Sequence, residues 1–145
     1  MVTAEASVSI ARDHEAVFGF LADVRNDPRW HTDVLSARLQ GDGPITKGST
    51  FDITIKPAMG ETGGTVTVAE IEPPVRVVFD VRMGKLQPTT TFTVAAETRG
   101  SRVTRRIDMQ PSGIMRLMAP MMGGMMRKRN VGFMANLKRV LESGS

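Results

Sequence analysis

Arg105 stands where an apolar side chain would be expected. In the last strand-like run of this chain, strict alternation puts Val103, Arg105, Ile107 and Met109 on one face. That face should look inward. A guanidinium there must be paired or wet, because an isolated charge inside a protein is prohibitively costly. Two readings stay open. Arg105 either anchors a carboxylate, phosphate or enolate at one end of an apolar ligand, or it pairs with an Asp or Glu or lets its head reach solvent at a cavity mouth. Glu70 and His31 are the other candidates for proton chemistry. Glu70 faces inward beside Arg105 if Val66 and Val68 set the phase of its strand, and outward if Ile71 does; outward is the expectation. His31 follows Trp30, the chain's one tryptophan. At a cavity mouth it would titrate near neutral pH; the plainer expectation is a solvated helix residue. Trp30 itself is expected as a core anchor or a cavity wall.

Other chemistries are excluded by pattern. His14 and His31 have no partner at metal-ligand spacing, so neither a metal site nor a metal cofactor is expected. No Ser-His-Asp order, phosphate loop or dinucleotide fingerprint is present, so no nucleotide cofactor is expected either. Gly60-Glu61-Thr62-Gly63-Gly64 lacks the following Lys-Ser/Thr of a phosphate loop and reads as a hairpin loop. The chain has no Tyr and no Cys. The missing hydroxyls count against cyclase-type acid chemistry. The missing thiols rule out disulfides and thiolate metal sites and fit a cytoplasmic protein.

These side chains need elements to hold them. Val2, Ala4, Ala6, Val8 and Ile10 alternate with polar residues and read as a strand with one buried face. Asp13 is a good N-cap for a short helix in which Val17, Phe20, Leu21 and Val24 recur at helical spacing. Asn26-Asp27-Pro28 starts a second, very short helix carrying Trp30 and His31. Six strand-like runs follow. Leu35, Ala37 and Leu39 share a face, as do Phe51, Ile53 and Ile55. The run from Val66 to Glu72 has no clear phase. Val75, Val77, Phe79, Val81 and Met83 alternate most cleanly; Phe92, Val94 and Ala96, then Val103 to Met109, complete the set. Short connections between them predict an antiparallel meander.

The chain closes with a helix over 112–142. Six of the 11 Met lie between Met115 and Met126. At about 100° per residue, Ile114, Met118, Met121, Met122 and Met125 share one side, and Phe133, Met134, Leu137, Val140 and Leu141 lie about 100° around from it. Pro120 and Gly123-Gly124 predict a kink or break. The second half should pack on the sheet; the first, adaptable because Met is unbranched and polarizable, should cover a cavity.

At 145 residues, with 41% hydrophobic and 23% charged side chains, one domain over 1–145 with a real core is expected. No apolar run approaches the length that spans a bilayer, and the N-terminus shows no basic-then-apolar leader pattern. Residues 1–98 carry nine basic against thirteen acidic side chains; residues 99–145 carry ten basic against only Asp108 and Glu142. A basic C-terminal third attracts anionic partners or is a solvated helix face. Arg127-Lys128-Arg129 beside the Met cluster is a candidate peripheral membrane contact. Aromatic residues make up only 5%, so nucleic-acid binding is not expected.

Several local signatures appear in a particular order. Asp13-x-x-x-Val17-Phe18 opens the first helix and Asp27-Pro28-x-Trp30 marks the second. Glu70-x-Glu72-Pro73-Pro74-x-Arg76-x-Val78-Phe79 spans the central hairpin, and Leu137-Lys138-x-x-Leu141-Glu142 closes the chain. With the element order β-α-α-β6-α, the sequence resembles the SRPBCC (START-like) superfamily, in the polyketide cyclase/dehydrase-like group that shares the helix-grip fold of the birch-pollen allergen. The resemblance implies an α+β fold in which a curved antiparallel sheet of about seven strands wraps a long C-terminal helix, with an apolar cavity between them. It implies a hydrophobic ligand, lipid-like or polyketide/aromatic. The expected cavity wall is Trp30, Phe51, Ile53, Val77, Phe79, Val81, Phe92, Val94, Met118, Met122 and Met125, with Arg105 as the polar anchor. A cyclase/dehydrase-type enzyme using Arg105 with His31 or Glu70 is the alternative; a third is a module that docks on a membrane or a protein through its basic Met-rich helix. Monomer and homodimer both remain open.

Overall fold

The computed structural model describes residues 1–143. Seven strands form one antiparallel sheet in the order β1-β7-β6-β5-β4-β3-β2. They are β1 (Val2–Ile10), β2 (Val34–Leu39), β3 (Thr50–Ala58), β4 (Glu61–Glu72), β5 (Arg76–Arg82), β6 (Thr89–Glu97) and β7 (Gly100–Met109). Helix α1 (His14–Ala22) and a 3-10 helix (Val24–Arg29) lie between β1 and β2; helix α2 (Met115–Glu142) ends the chain. This is the helix-grip arrangement. Asp13 caps α1 by accepting the Glu15 N–H at 3.1 Å, and Asp23 caps the 3-10 helix by accepting the Arg25 N–H at 3.1 Å.

The inner face of the sheet carries one continuous core. Phe51, Ile53, Val66, Val68, Val77, Phe79, Phe92, Val94 and Val103 meet Val17, Leu21 and Trp30 from the helical side and Met134, Leu137 and Leu141 from α2. At about 25 cal/mol per Å² of apolar surface, this burial is the main force holding the layers together.

Two β-bulges correct the strand phases read from the sequence. In β4, Val68 pairs with Phe79 and Glu70 with Val78, so the register slips by one residue at Ala69. Val66 and Val68 face the core before the bulge, and Ile71 faces it after. Both apolar signals are satisfied because a bulge inserts one extra residue and flips the phase. In β2 the register shifts between Val34 and Ser36. Val34 is buried, Ala37 and Leu39 pack on the core, and Leu35 faces outward, contrary to a shared face for Leu35, Ala37 and Leu39.

The expected loop over Gly60–Gly64 is instead the start of β4, and only Met59-Gly60 turn. A Cβ on Gly63 would sit 2.6 Å from the Ile53 carbonyl oxygen, and one on Gly64 would collide with that of Arg82. These glycines therefore mark close strand approach, not a flexible loop.

Helix α2 runs alongside β1. Lys138 donates to the Ser9 carbonyl at 2.8 Å, Arg12 donates to the Leu141 carbonyl at 3.0 Å, and the Ala11 N–H donates to Glu142 at 2.9 Å. At the other end, Gly123 lies beside Val2. The helix is continuous through Pro120 and Gly123-Gly124, with no break there. Pro120 falls in the second turn, so the one i−4 hydrogen bond it forfeits lies near the helix end. Among the described residues no helix is long and apolar enough to cross a membrane.

Candidate functional site

Arg105 points inward from the middle of β7, between Ala6 of β1 and Phe92 of β6. It is buried. Its Nη1 donates to Asn130 Oδ1 at 2.8 Å, and Asn130 Nδ2 donates back to the Arg105 carbonyl at 3.0 Å. This reciprocal pair ties α2 to β7. Asn130 takes a core position on the helix, in step with the buried Met134, Leu137 and Leu141. Three rings surround the cation: its Cζ lies 5.5 Å from the Trp30 ring centroid, 5.8 Å from Phe92 and 6.0 Å from Phe133. Each such contact contributes about 0.5–2 kcal/mol as water is excluded.

The turn after the 3-10 helix sets the rest. The Asp27 carbonyl accepts the N–H groups of Trp30 at 3.0 Å and His31 at 2.7 Å. Both residues thus lie just beyond that helix, not on it as the sequence suggested. His31 is not the solvated residue expected: its ring stacks on Phe133 at 4.1 Å and meets Trp30 edge-on at 5.6 Å. Burial, with help from the cations of Arg105 and Arg129, lowers its pKa to about 3, so it is neutral at physiological pH and does not titrate near neutrality.

Asp27, not Glu70, is the carboxyl that faces Arg105. Burial raises its carboxyl to about 7, against the pull of Arg105. Burial in turn lowers Arg105 to about 10, with Asp27 opposing. The two groups therefore stabilise each other's charge through space, without a hydrogen bond. Glu70 lies on the outer face, its carboxylate 2.7 Å from Arg76 and 54% exposed. Its inward alternative is excluded by the bulge at Ala69.

Three polar atoms of this cluster are buried and have no hydrogen-bond partner: Trp30 Nε1, His31 Nδ1 and Arg105 Nε. The indole N–H is close enough to Asp27 to favour its charged form slightly, but not in hydrogen-bond geometry. Each such atom costs about 1–3 kcal/mol unless something meets it. Beside the cluster opens a cleft of about 330 Å³ lined by Thr32, Asp33, Arg129, Gly132, Phe133 and Asn136. Arg129 forms an ion pair with Asp33 across it. Phe133 is shared: one side faces the cleft, and its ring covers His31.

Of the expected cavity wall, Trp30, Phe51, Ile53, Val77, Phe79, Phe92 and Val94 are buried core residues, and Val81 packs partly buried against them. The helical part departs from expectation. Met122 is half-buried, but Met118 and Met125 face solvent. The helix is continuous, and at about 100° per residue its Met side falls opposite the side anchored on the sheet. Asp27, Asn130 and Phe133 were missed as site residues. Asn130 carried a legible signal, a polar residue in register with the apolar face of α2. Among the described residues, no group of three or more His, Cys, Asp or Glu could hold a metal ion.

Comparison with known proteins agrees with this architecture. A family model described as polyketide cyclase/dehydrase and lipid transport matches residues 1–142. Among solved structures, the di-domain ARO/CYC BexL from the BE-7585A biosynthetic pathway superposes with a TM-score of 0.79 at 16% identity, covering 98% of this chain and 47% of that one. The TTHA0849 protein of Thermus thermophilus superposes at 0.75 with 17% identity, covering 99% of both chains. DynU16, a protein in the dynemicin biosynthetic locus, gives 0.70 at 16% identity, over 100% of this chain and 49% of its own. These likenesses establish the fold. No curated protein matches the sequence significantly.

Proposed function

The chain belongs to the polyketide cyclase/dehydrase and lipid transport family, and from that premise we propose that it binds a hydrophobic small molecule, lipid-like or polyketide/aromatic, whose polar end is held at Arg105. The observation that carries this reading is the trio of unpartnered buried atoms around one fixed cation. Arg105 Nε and Trp30 Nε1 are donors, and neutral His31 can donate or accept at Nδ1. Such a set suits a carboxylate, phenolate or enolate oxygen. The aromatic rings around it suit a flat apolar body, which gains affinity from lost water contact, while the polar atoms set its orientation. The ligand approaches through the cleft beside Phe133, whose ring must swing aside to open the path to His31 and Arg105.

Trp30 is the chain's one tryptophan and lies in the site, so its fluorescence reports binding directly. Titration with an aromatic carboxylate and with its neutral methyl ester tests the proposal. Arg105→Met should weaken the carboxylate at least about tenfold more than the ester. Equal losses for both would end the assignment of Arg105 as anchor. BexL is described as a di-domain ARO/CYC, and a second reading, catalysis of cyclisation or dehydration, is favoured by Asp27. A carboxyl raised to about 7 within reach of the Arg105 charge can take or give a proton at neutral pH. A turnover assay on polyketide-like substrates should then show loss of activity in Asp27→Asn with binding retained. Glu70→Gln should change neither.

A further inference from the structure

Helix α2 carries a second feature that ligand binding leaves unused. Ile114, Leu117, Met118, Met121 and Met125 are between 48% and 84% exposed. At about 100° per residue they fall in one sector of about 100°. That sector is centred about 180° from the buried Asn130, Met134, Leu137 and Leu141. The stripe therefore looks directly away from the sheet.

Position along the helix exposes it further. Gly123 lies beside Val2, where β1 begins and β7 ends. With a rise of about 1.5 Å per residue, the turns from Met115 to Met122 project about 12 Å past the ends of those two strands. The result is an apolar ridge on a protruding helix end, the kind of contiguous surface that marks an interaction site.

The charge around it identifies the partner. Lys128 and Arg129 follow Met125 by three and four residues, on the same side one turn further on. Arg116 and Arg127 lie about 130–150° around the helix from the centre of the stripe, toward the sheet side, and no acidic residue occurs between Asp108 and Glu142. Arg129 is engaged by Asp33, whereas Arg116, Arg127 and Lys128 make no ion pair among the described residues. Pairing of two copies through this ridge would bring Lys128 and Arg129 of both into one interface, with no carboxylate on this stretch of helix to meet Lys128. An anionic bilayer answers both parts at once: its hydrocarbon accepts the Met, Leu and Ile side chains, and its headgroups accept Lys128 beside them.

We propose that the outward face of α2, from Ile114 to Lys128, docks the protein on the surface of an anionic phospholipid membrane. The cleft at Arg129, Gly132, Phe133 and Asn136 lies further along nearly the same side of the helix, so a docked membrane would face its opening. The docking itself does not depend on what the Arg105 site binds.

Vesicle flotation with the intact chain provides the test. Vesicles of phosphatidylcholine with phosphatidylglycerol should carry the protein at low salt, those of phosphatidylcholine alone much less, and added salt should release it. The double variant Leu117→Asp, Met121→Asp should lower partitioning at least about tenfold. Lys128→Glu should weaken it less and flatten its salt dependence. All three positions are exposed, and circular dichroism should show wild-type melting. Absence of binding to anionic vesicles at low salt would overturn the proposal. So would vesicle binding that the double variant leaves unchanged, since another surface would then be responsible. Sedimentation showing a dimer that the double variant converts to monomer, without vesicle binding by the wild type, would assign the ridge to self-association instead.

Discussion

Replacing Asp27 with Asn probes the electrostatics of the buried cluster directly. Burial lifts the Asp27 carboxyl from 3.8 to about 7. Between those values the folded protein holds a proton that the unfolded chain has released. The group's contribution to stability is therefore full below about pH 4 and is lost as the pH rises through about 7. The slope is about 1.4 kcal/mol per pH unit, and the full span is about 4 kcal/mol. His31 acts in the opposite sense. Its pKa falls from 6.5 to about 3, chiefly through burial. The unfolded chain then takes up a proton that the folded one refuses, so stability drops as the pH falls below about 6.5. Between about pH 4 and 6.5 the two slopes cancel in the wild type. In Asp27→Asn only the histidine slope remains, and the variant should lose about 1.4 kcal/mol per pH unit on acidification below about pH 6.5. Measured against wild type, it should gain about 4 kcal/mol between about pH 4 and pH 8. Urea unfolding followed by circular dichroism across that range gives both curves, and their difference removes the titration of all other groups. A difference constant to within about 0.5 kcal/mol would refute a proton-holding Asp27 and, with it, the acid–base reading of the site.

Other outcomes follow from the same geometry. Asn130→Leu keeps the branched shape but removes the acceptor for Arg105 Nη1 and the donor to its carbonyl. It should cost about 3–5 kcal/mol in urea unfolding at neutral pH, because a buried charge loses its partner; a cost below about 1 kcal/mol would mean that the surrounding rings suffice. Gly64→Ala should destabilise by more than about 2 kcal/mol, since its Cβ meets the Arg82 backbone. Gly124→Ala, with open space around it on a helix, should instead gain about 0.5–1 kcal/mol. Thermal melts of the two variants should thus move in opposite directions.

The order of elements was legible along the chain because it rests on local periodicity: alternation in β1, β5 and β7, the Asp13 cap of α1, and the apolar spacing of the second half of α2. So was the inward aim of Arg105, which follows from its register between Val103 and Ile107. The phases of β2 and β4 needed the partner strands: the conflict between Val68 and Ile71 was visible along the chain, but only the pairing with β5 shows it to be a bulge at Ala69. The environment of Asp27 and His31 was equally hidden. Both lie at a short turn, and the side chains that crowd them, Arg105 and Phe133 among them, come roughly eighty and a hundred positions further on. Desolvation is a property of what surrounds a group in three dimensions, so the proton affinities of Asp27 and His31 were decided only when β7 and α2 closed over the turn. The direction of the Met stripe was settled in the same way: a continuous helix carries its phase along its length, and the anchoring of Asn130, Met134, Leu137 and Leu141 turned most of the stripe outward.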